Sequence, residues 1–269
     1  MKQMKRTFII ISVGILSIGC ETATSEGTEL EPVPASVSEV HEHDSIGEVS
    51  AAHHRSEFLA KKAVKFDLQL TFGGKERMNG SITLLTNSTK GLIELKDGST
   101  MIYSNGRVFH SPGIKNEEKV RFDAYTWPYF FLFPFKLEDK GTHWSNFSKS
   151  LLNGKEYNTQ RLTFASGTGD APDDWYVMYS DLETNLVRAA AYIVTLNKSQ
   201  EEAEKDPHAI EYTNYKNIEG IPLATKWTFW GWTETEGLTD QLGKATISNI
   251  EFLEDVTGVF DIPVDYLEK

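Results

Sequence analysis

The residues best suited to chemistry are three carboxylates, Asp170, Asp173 and Asp174, which surround Pro172 in the stretch GTGDAPDDWYVMYSD. Clustered carboxylates can bind calcium or act as a general acid and a general base. The same residues also suit an acidic turn before a strand, and we favour that structural role. If the chain is a hydrolase, Asp173, Asp174 or a histidine would be its candidate catalytic groups.

The seven histidines offer two close groupings. The HEHD stretch at residues 41–44 has metal-ligand chemistry, but it lies in a segment predicted to be disordered, where no second shell would orient the ligands. His53 and His54 are neighbours on a predicted helix and point about 100° apart, so they cannot easily share a metal. We expect one of the two to be half-buried and the other exposed, and we predict no metal site.

Motifs for nucleotide binding and nucleophilic catalysis are absent from the sequence. It contains no G-x-S-x-G elbow, no Walker loop, no G-x-G-x-x-G and no C-x-x-C. We therefore predict no catalytic residue and no cofactor, and we regard an enzyme as the less favoured class of protein.

The N-terminal 20 residues read as a secretory signal. Lys2, Lys5 and Arg6 form a positive end, and an apolar run of about eleven residues follows. That run is too short to cross a bilayer, which needs about 20 residues. The stretch LSIGC at residues 16–20 resembles a bacterial lipoprotein box, which implies that Cys20 is the site of lipid attachment.

The segment after Cys20 is expected to be a tether. Residues 21–47 are rich in Glu, Ser, Thr and Pro, and they predict a disordered acidic stretch. Cys20 is the only cysteine, so the mature chain can form no internal disulfide. The folded domain, residues 48–269, must therefore be stabilised by its core.

The charge of the chain excludes one class of partner. The formal net charge is -12, from 27 basic and 39 acidic residues, and three of the basic residues belong to the signal. Nucleic-acid binding needs clustered Lys and Arg for phosphate contacts. Because no such cluster follows the signal, we predict no nucleic-acid partner.

The rest of the sequence predicts one helix followed by many strands. Residues 48–63 have helical apolar spacing, and residues 64–72 alternate apolar and polar side chains as a half-buried strand does. Asp-Gly and Asn-Gly pairs then mark hairpin turns. Further strands are predicted at residues 80–85, 90–96, 100–103, 106–110, 119–124, 155–165, 174–180, 186–196, 208–218, 223–233 and 244–253.

These elements predict a mainly β (α+β) fold. We expect a single large, curved antiparallel sheet of about eleven strands, formed by one meander into a half-open barrel, with a few helices against its concave face.

The composition is rich in aromatic residues, since Phe, Trp and Tyr make up 12% of the chain. The stretch TWPYFFLFPFKLEDKGTHW, residues 126–144, predicts a short helix that begins at Thr126, carries Pro128 in its first turn and breaks at residues 133–135. This segment either completes the core or forms the floor of a lipid pocket. The ligand-contacting candidates there and on neighbouring strands are Trp127, Tyr129, Phe130, Phe131, Phe133, Phe135, Trp175, Tyr192, Trp227 and Phe229.

Two stretches resemble the LolA/LolB-like lipoprotein-carrier fold. In DDWYVMYSDLETNLVRAAAYIV, Asp181, Thr184 and Arg188 occupy the places of a characteristic hairpin, and EGIPLATKWTFW resembles the turn and long strand that follow. Over residues 48–265, the motifs FGGKERMNGSITLLTNS, FDAYTWPYFFLFPFKLEDKGTHW and NGKEYNTQRLTF also resemble a family of Bacteroidetes lipoproteins. Members of the carrier fold mostly bind acyl chains or lipoproteins, so the resemblance implies an apolar ligand.

The combined expectation is a membrane-anchored lipoprotein of a bacterial cell envelope. It would face the periplasm or the cell surface, in the outer membrane rather than the inner, and bind a lipid, acyl chain or other apolar small molecule. Two alternatives remain open: an envelope hydrolase, or a lipoprotein with a filled core that binds or senses an envelope protein.

Overall fold

The computed structural model describes residues 45–269, so the predicted signal, Cys20 and the tether as far as residue 44 lie outside the described residues. The helices are α1 (Ser45–Ala52), α2 (Arg55–Ala60), α3 (Val120–Leu132) and α4 (Gln200–Ala203), with 3-10 turns at Glu117–Lys119 and Phe133–Phe135. No helix in this part of the chain is long and apolar enough to cross a membrane.

Thirteen strands follow one another along residues 45–269. They are β1 (Ala63–Phe72), β2 (Lys75–Leu85), β3 (Lys90–Leu95), β4 (Thr100–Ser104), β5 (Arg107–His110), β6 (Thr142–Leu152), β7 (Lys155–Phe164), β8 (Tyr176–Ser180), β9 (Val187–Tyr192), β10 (His208–Ile218), β11 (Ile221–Thr233), β12 (Gly237–Leu253) and β13 (Leu267–Glu268).

All of these strands belong to one curved antiparallel sheet that does not close, so the predicted fold class is confirmed. Their order is β13-β5-β4-β3-β2-β1-β12-β11-β10-β9-β8-β7-β6. The sheet therefore consists of two meanders, β1–β5 and β6–β12, joined where β1 pairs with β12. The prediction of one continuous meander of about eleven strands was wrong in this respect, because the joining pair is remote in sequence.

The connection between the two meanders positions the aromatic segment. Residues 111–141, here called the crossing segment, lead from β5 near one edge of the sheet to β6 at the other edge. The segment contains α3 and the 3-10 turn after it, and its side chains pack on one face of the sheet. We call this face the inner face.

The start of α3 corrects two predictions. Residues 119–124 were predicted as a strand, and the helix was expected to begin at Thr126, but α3 begins at Val120. Val120, Ala124, Trp127 and Phe131 are all buried, and this spacing of three to four residues is the period of a helix. Pro128 consequently lies inside the helix rather than in its first turn.

The end of the aromatic stretch also differs from the prediction. Phe133–Phe135 forms a 3-10 turn that extends the helical path instead of returning the chain to the sheet. The chain rejoins the sheet only at β6, which was not predicted. Most of β6 is exposed, and its register shifts between Ser145 and Ser148, so it lacks the clean alternation that identifies a half-buried strand.

The predicted helix at residues 48–63 is two short helices. α1 begins at Ser45, three residues inside the predicted tether, and His54 separates it from α2 with a left-handed φ of 53°. β1 then begins at Ala63. The left-handed residue turns the chain, because a helix cannot continue through that backbone conformation.

Apolar side chains lie on both faces of the sheet. On the inner face they form one large cluster with α1, α2 and the crossing segment, here called the inner cluster. On the opposite face a smaller group, the outer cluster, includes Trp175, Tyr179 and Trp232. The long strand β11 supplies both, with Trp227 and Phe229 in the inner cluster and Trp232 in the outer one. Double-sided burial therefore explains its apolar sequence.

Candidate ligand-binding face

The inner face is covered by aromatic contacts between the crossing segment and the rest of the fold. Phe131 of α3 stacks on Phe66 of β1, with ring centroids 4.0 Å apart and planes at 14°. Phe135 stacks on Phe58 of α2 at 3.8 Å and 8°. Rings this close and parallel exclude any molecule between them, so the segment is in direct contact with its neighbours.

The other side of α3 packs against β9 and β11. Phe130 lies 5.0 Å from the ring of Tyr192 and 5.8 Å from that of Phe229, and Trp127 meets Phe229 edge-on at 6.0 Å. These separations lie in the range of favourable aromatic pairs. The face thus holds aromatic side chains from both the helix and the sheet.

Nine of the ten predicted ligand-contacting residues meet at this face. Tyr129 is partly buried and packs against the inner cluster, and the remaining eight are members of it: Trp127, Phe130, Phe131, Phe133, Phe135, Tyr192, Trp227 and Phe229. Trp175 is not brought together with them, because it lies in the outer cluster, 6.1 Å from Trp232. Side chains alternate along a strand, so it is Tyr176 that faces inward.

The pocket between the crossing segment and the sheet is small. Where Phe131 and Phe135 approach β10 and β11, it has a volume of about 10 Å³. That is at most the room of a single water molecule. An acyl chain therefore has no space at this point while the crossing segment holds its present position.

A partly buried ion pair fixes the first half of α3. Arg77 of β2 donates to both carboxylate oxygens of Asp123, at 2.9 and 2.6 Å, and the indole nitrogen of Trp127 donates to the same carboxylate at 2.9 Å. Burial raises the pKa of Asp123, and the Arg77 guanidinium acts in the opposite direction. The effect of burial is the larger of the two, so the net pKa of Asp123 lies above its ordinary value.

Two further polar contacts fix the second half of the segment. The hydroxyl of Tyr212 donates to the Phe130 carbonyl at 2.9 Å, and Nε of Arg55 in α2 donates to the Phe135 carbonyl at 2.9 Å. Carbonyls in the last turn of a helix lack partners within the helix. Side chains of the sheet and of α2 supply those partners, so the end of the segment is held as well as its beginning.

His53 also lies at this face, although it was not among the predicted ligand-contacting residues. Its side chain is fully buried rather than half-buried as one of the pair was expected to be, whereas His54 is exposed. Its Nε2 accepts the backbone N–H of Val187 at 3.0 Å. Burial lowers the pKa of His53 to about 3, so the ring is neutral near neutral pH.

Two of the three carboxylates considered for chemistry, Asp170 and Asp174, have structural partners. Asp174 accepts two hydrogen bonds of 2.8 Å from the backbone N–H and the hydroxyl of Thr195, and Asp170 pairs with Arg121. Burial raises the pKa of Asp174. Within residues 45–269 no group of three or more His, Cys, Asp or Glu side chains could hold a metal. The acidic-turn interpretation therefore fits the contacts of these residues.

The hairpin that suggested a family resemblance is likewise structural. Oδ1 of Asp181 accepts from the backbone N–H groups of Glu183 and Thr184 and from the Thr184 hydroxyl, each at 3.1 Å. Arg188 donates to Glu211 of β10 at 2.8 Å. These contacts order the turn between β8 and β9 and its attachment to β10.

Comparison with solved structures identifies the fold. A LolA superfamily protein from Nitrosomonas europaea superposes with a TM-score of 0.52 at 8% sequence identity, over 80% of this chain and 97% of the other. The fold is LolA-like. A DUF1329 family protein from Desulfovibrio piger gives a TM-score of 0.52 at 13% identity, over 80% of this chain and 96% of its own.

A third similar structure is a putative outer membrane lipoprotein-sorting protein domain from Vibrio parahaemolyticus. Its TM-score is 0.50 at 10% identity, with 79% of this chain and 95% of that one covered. No family model and no curated protein matches the sequence. At these identities the similarity extends to the LolA-like fold and no further.

Proposed function

We propose that the protein is a lipid-anchored lipoprotein of a bacterial cell envelope that binds an apolar ligand, a lipid or acyl chain, on the inner face of its LolA-like sheet. The ligand takes the place of the crossing segment, which moves aside when the ligand enters.

The observation that carries the proposal is the way one segment covers the inner face. The crossing segment is attached to the sheet at both ends and contacts it mainly through aromatic side chains, including Trp127, Phe130 and Phe131. If it moved outward as a unit, it would expose Phe66, Phe229 and other apolar side chains of the sheet. An acyl chain could then cover the same surface and restore the buried apolar area.

The proposed location in the cell envelope rests on the N-terminal sequence and is supported by one structural neighbour. The lipoprotein-like box at Cys20 implies acylation, which anchors a protein stably when two or three chains are attached. The Vibrio parahaemolyticus structure with a similar fold is a putative outer membrane lipoprotein-sorting protein domain, which supports an envelope location. We propose the outer membrane as the anchoring membrane.

A second candidate function is supported by the small cavity. The pocket between the crossing segment and β10–β11 has a volume of only about 10 Å³. In this second candidate, the inner face is an ordinary packed core that binds no ligand. The protein would then bind or sense another envelope protein through its outer surface. The two functions differ in whether the crossing segment ever leaves the sheet.

Mass spectrometry of the full chain purified from its own host membranes distinguishes the two candidates. We expect the native mass to exceed the denatured mass by one lipid, because denaturation releases a ligand held by apolar contacts but keeps the acyl chains covalently attached to Cys20. Extraction with organic solvent should then identify that lipid. Equal native and denatured masses, obtained again after incubation with host lipids, would support the filled-core alternative instead.

The anchor is tested separately by replacing Cys20 with alanine. We expect the Cys20→Ala variant to move from the membrane fraction to the soluble fraction, because the predicted signal contains no segment long enough to span the bilayer. Cell fractionation followed by a high-salt wash measures this, with the wild-type chain as the control. Retention of Cys20→Ala in the washed membranes would contradict lipidation as the anchor.

A further inference from the structure

The two edges of the sheet are finished differently. At one edge the C-terminal strand β13 covers β5, and Leu267 pairs with His110. The Arg107 guanidinium adds two hydrogen bonds to Glu268 of β13. At the other edge β6 pairs with β7, and no other strand of the described chain is paired with it. The backbone N–H and C=O groups along the free side of β6 therefore have no strand partner.

The strand β6 has few of the features that keep an exposed edge from pairing. Natural edge strands are often short, contain proline or are covered, whereas β6 is eleven residues long and contains no proline. A bulge between Ser145 and Ser148 interrupts its register with β7. After the bulge, residues 148–152 pair regularly with β7. This regular stretch is free to accept a further strand.

Three exposed side chains lie in a row along this edge. Phe147 is 50% exposed and Leu151 is 67% exposed, and Lys149 lies between them. Residues two apart on a strand point to the same face of the sheet. These three residues, here called the edge row, therefore present an apolar, a basic and an apolar side chain in succession.

The opposite face of β6 already has its contacts within the fold. The hydroxyls of Ser148 and Ser150 lie 2.8 and 3.4 Å from the Thr159 hydroxyl. Leu152 is buried in the outer cluster. A strand added to β6 would therefore make its selective side-chain contacts with the edge row.

The edge row also determines the charge that suits an added strand. Nζ of Lys149 lies 3.7 Å from the Glu156 carboxylate, which is beyond the range of a direct hydrogen bond. No Asp or Glu occurs in β6 itself. Opposite charges at facing positions of two strands stabilise their pairing, and like charges destabilise it. An acidic residue flanked by apolar residues at alternate positions therefore matches the edge row.

A second copy of this chain fits the edge poorly. In an antiparallel pair with two-fold symmetry, alignment of Phe147 with Leu151 of the second copy places Lys149 opposite its own equivalent. Two facing lysines destabilise a strand pair. The chain also has a formal net charge of -12, so two copies repel each other. A different protein with an acidic strand is the better occupant.

We propose that the free edge of β6 accepts an extended strand of another protein, in which an acidic residue lies between apolar residues at alternate positions. Backbone hydrogen bonds to β6 supply the affinity, and the edge row supplies the selectivity, as in other cases of strand addition. This inference goes beyond the proposed lipid function, because it uses the edge of the sheet and not the surface beneath the crossing segment. It gives the second candidate function a surface and a class of partner.

Three capped peptides test the proposal by calorimetry with the full chain. They are the acidic peptide TVTETVT, the basic peptide TVTKTVT, and the acidic peptide with every backbone nitrogen methylated. We expect the acidic peptide to bind about fivefold more tightly than the basic one, a ratio within reach of one facing charge pair. The methylated peptide should bind about tenfold more weakly than its parent or less, because it cannot donate backbone hydrogen bonds.

A charge reversal isolates the contribution of Lys149. In Lys149→Glu the preference should reverse, so that the basic peptide binds about fivefold more tightly than the acidic one. Lys244→Glu is the matched control, because Lys244 is also an exposed strand residue but its strand, β12, is paired on both sides. The control should keep both affinities within about twofold of the wild type.

Hydrogen exchange locates the bound peptide on the wild-type chain without any variant. With saturating acidic peptide, the outward-facing amides of residues 147–152 should exchange about tenfold more slowly or less. The amides of residues 107–110, at the covered edge, should not change.

Each alternative outcome overturns a defined part of the proposal. Equal binding of the acidic and basic peptides, or an unchanged preference in Lys149→Glu, would show that the assigned partner chemistry is wrong. Absence of binding at millimolar peptide, or protection elsewhere, would rule out the edge. A peptide-free dimer with protected β6 amides would make a second copy the occupant. None of these results concerns the inner face, so the lipid proposal stands or fails separately by mass spectrometry.

Discussion

Replacement of Phe131 with alanine is expected to lower the free energy of unfolding by about 3–5 kcal/mol, the usual cost of removing a buried phenylalanine ring. Phe131 is 5% exposed, stacks on Phe66 and lines the cavity next to His53. The truncation would leave a void, because the sheet beneath it cannot move inward to fill the space. Denaturant unfolding of wild type and variant measures the change.

The control for this prediction is Phe147→Ala on the edge strand β6. Phe147 is 50% exposed, so its truncation should cost less than about 1 kcal/mol. A loss for Phe131→Ala as small as that of the control would mean that the crossing segment is not packed on the sheet in solution. Such a result would favour an inner face that is already open.

Replacement of Arg77 with methionine is expected to destabilise the fold by about 3 kcal/mol at pH 7. Removing one partner of a buried ion pair leaves an uncompensated charge and usually costs roughly 3–5 kcal/mol. We expect the lower end, because the Arg77 side chain is 22% exposed. The measurement is again denaturant unfolding, with the exposed pair of Arg107 and Glu268 as reference: Arg107→Met should have little effect.

The pH dependence of this variant follows from the direction of the Asp123 pKa. Burial already raises that pKa above its ordinary value, and loss of the guanidinium would raise it further. A carboxyl whose pKa is higher in the folded state binds more protons when folded, so stability falls as the pH rises through the interval between the unfolded and folded values. The loss caused by Arg77→Met should therefore be smaller at pH 5 than at pH 7.

Two results would contradict the assignment of this effect to Asp123. One is a loss of stability in Arg77→Met that does not change between pH 5 and pH 7. The other is failure of the double variant Arg77→Met with Asp123→Asn to recover stability at pH 7, since it contains no unpaired charge. Recovery would show that the loss in Arg77→Met comes from the unpaired carboxylate of Asp123.

The candidate site was only partly predictable from the sequence. The aromatic residues of the crossing segment were identified by type, and their burial confirms that they face the sheet. The polar residues that hold the segment, Arg77 and Tyr212, were missed because each lies on a strand remote in sequence from its partner. His53 was missed for the same reason, since its partner Val187 is 134 residues away.

The sequence by itself determined most of the strands of this protein, although it did not reveal α3 from its start or β6. In β1, Val64, Phe66, Leu68 and Leu70 alternate with polar residues and are all buried, because successive side chains of a strand point to opposite faces. The turn signals also determined most hairpins, as in the pairing of β10 with β11 after the glycine at position 220. Such features depend on neighbours only a few residues away.

Only the tertiary structure decided which faces meet and whether they leave space. The pairing of β1 with β12 joins strands from opposite ends of the domain's sequence. It forms the continuous sheet whose inner face the crossing segment covers. Trp175 and Tyr176 are adjacent in sequence, yet they belong to opposite clusters. Alternation along the strand places their side chains on opposite faces of the sheet. The long-range strand pairing decides which of these faces α3 covers. The volume of the small pocket beside His53 likewise depends on how segments remote in sequence pack together. A local sequence pattern therefore cannot predict it.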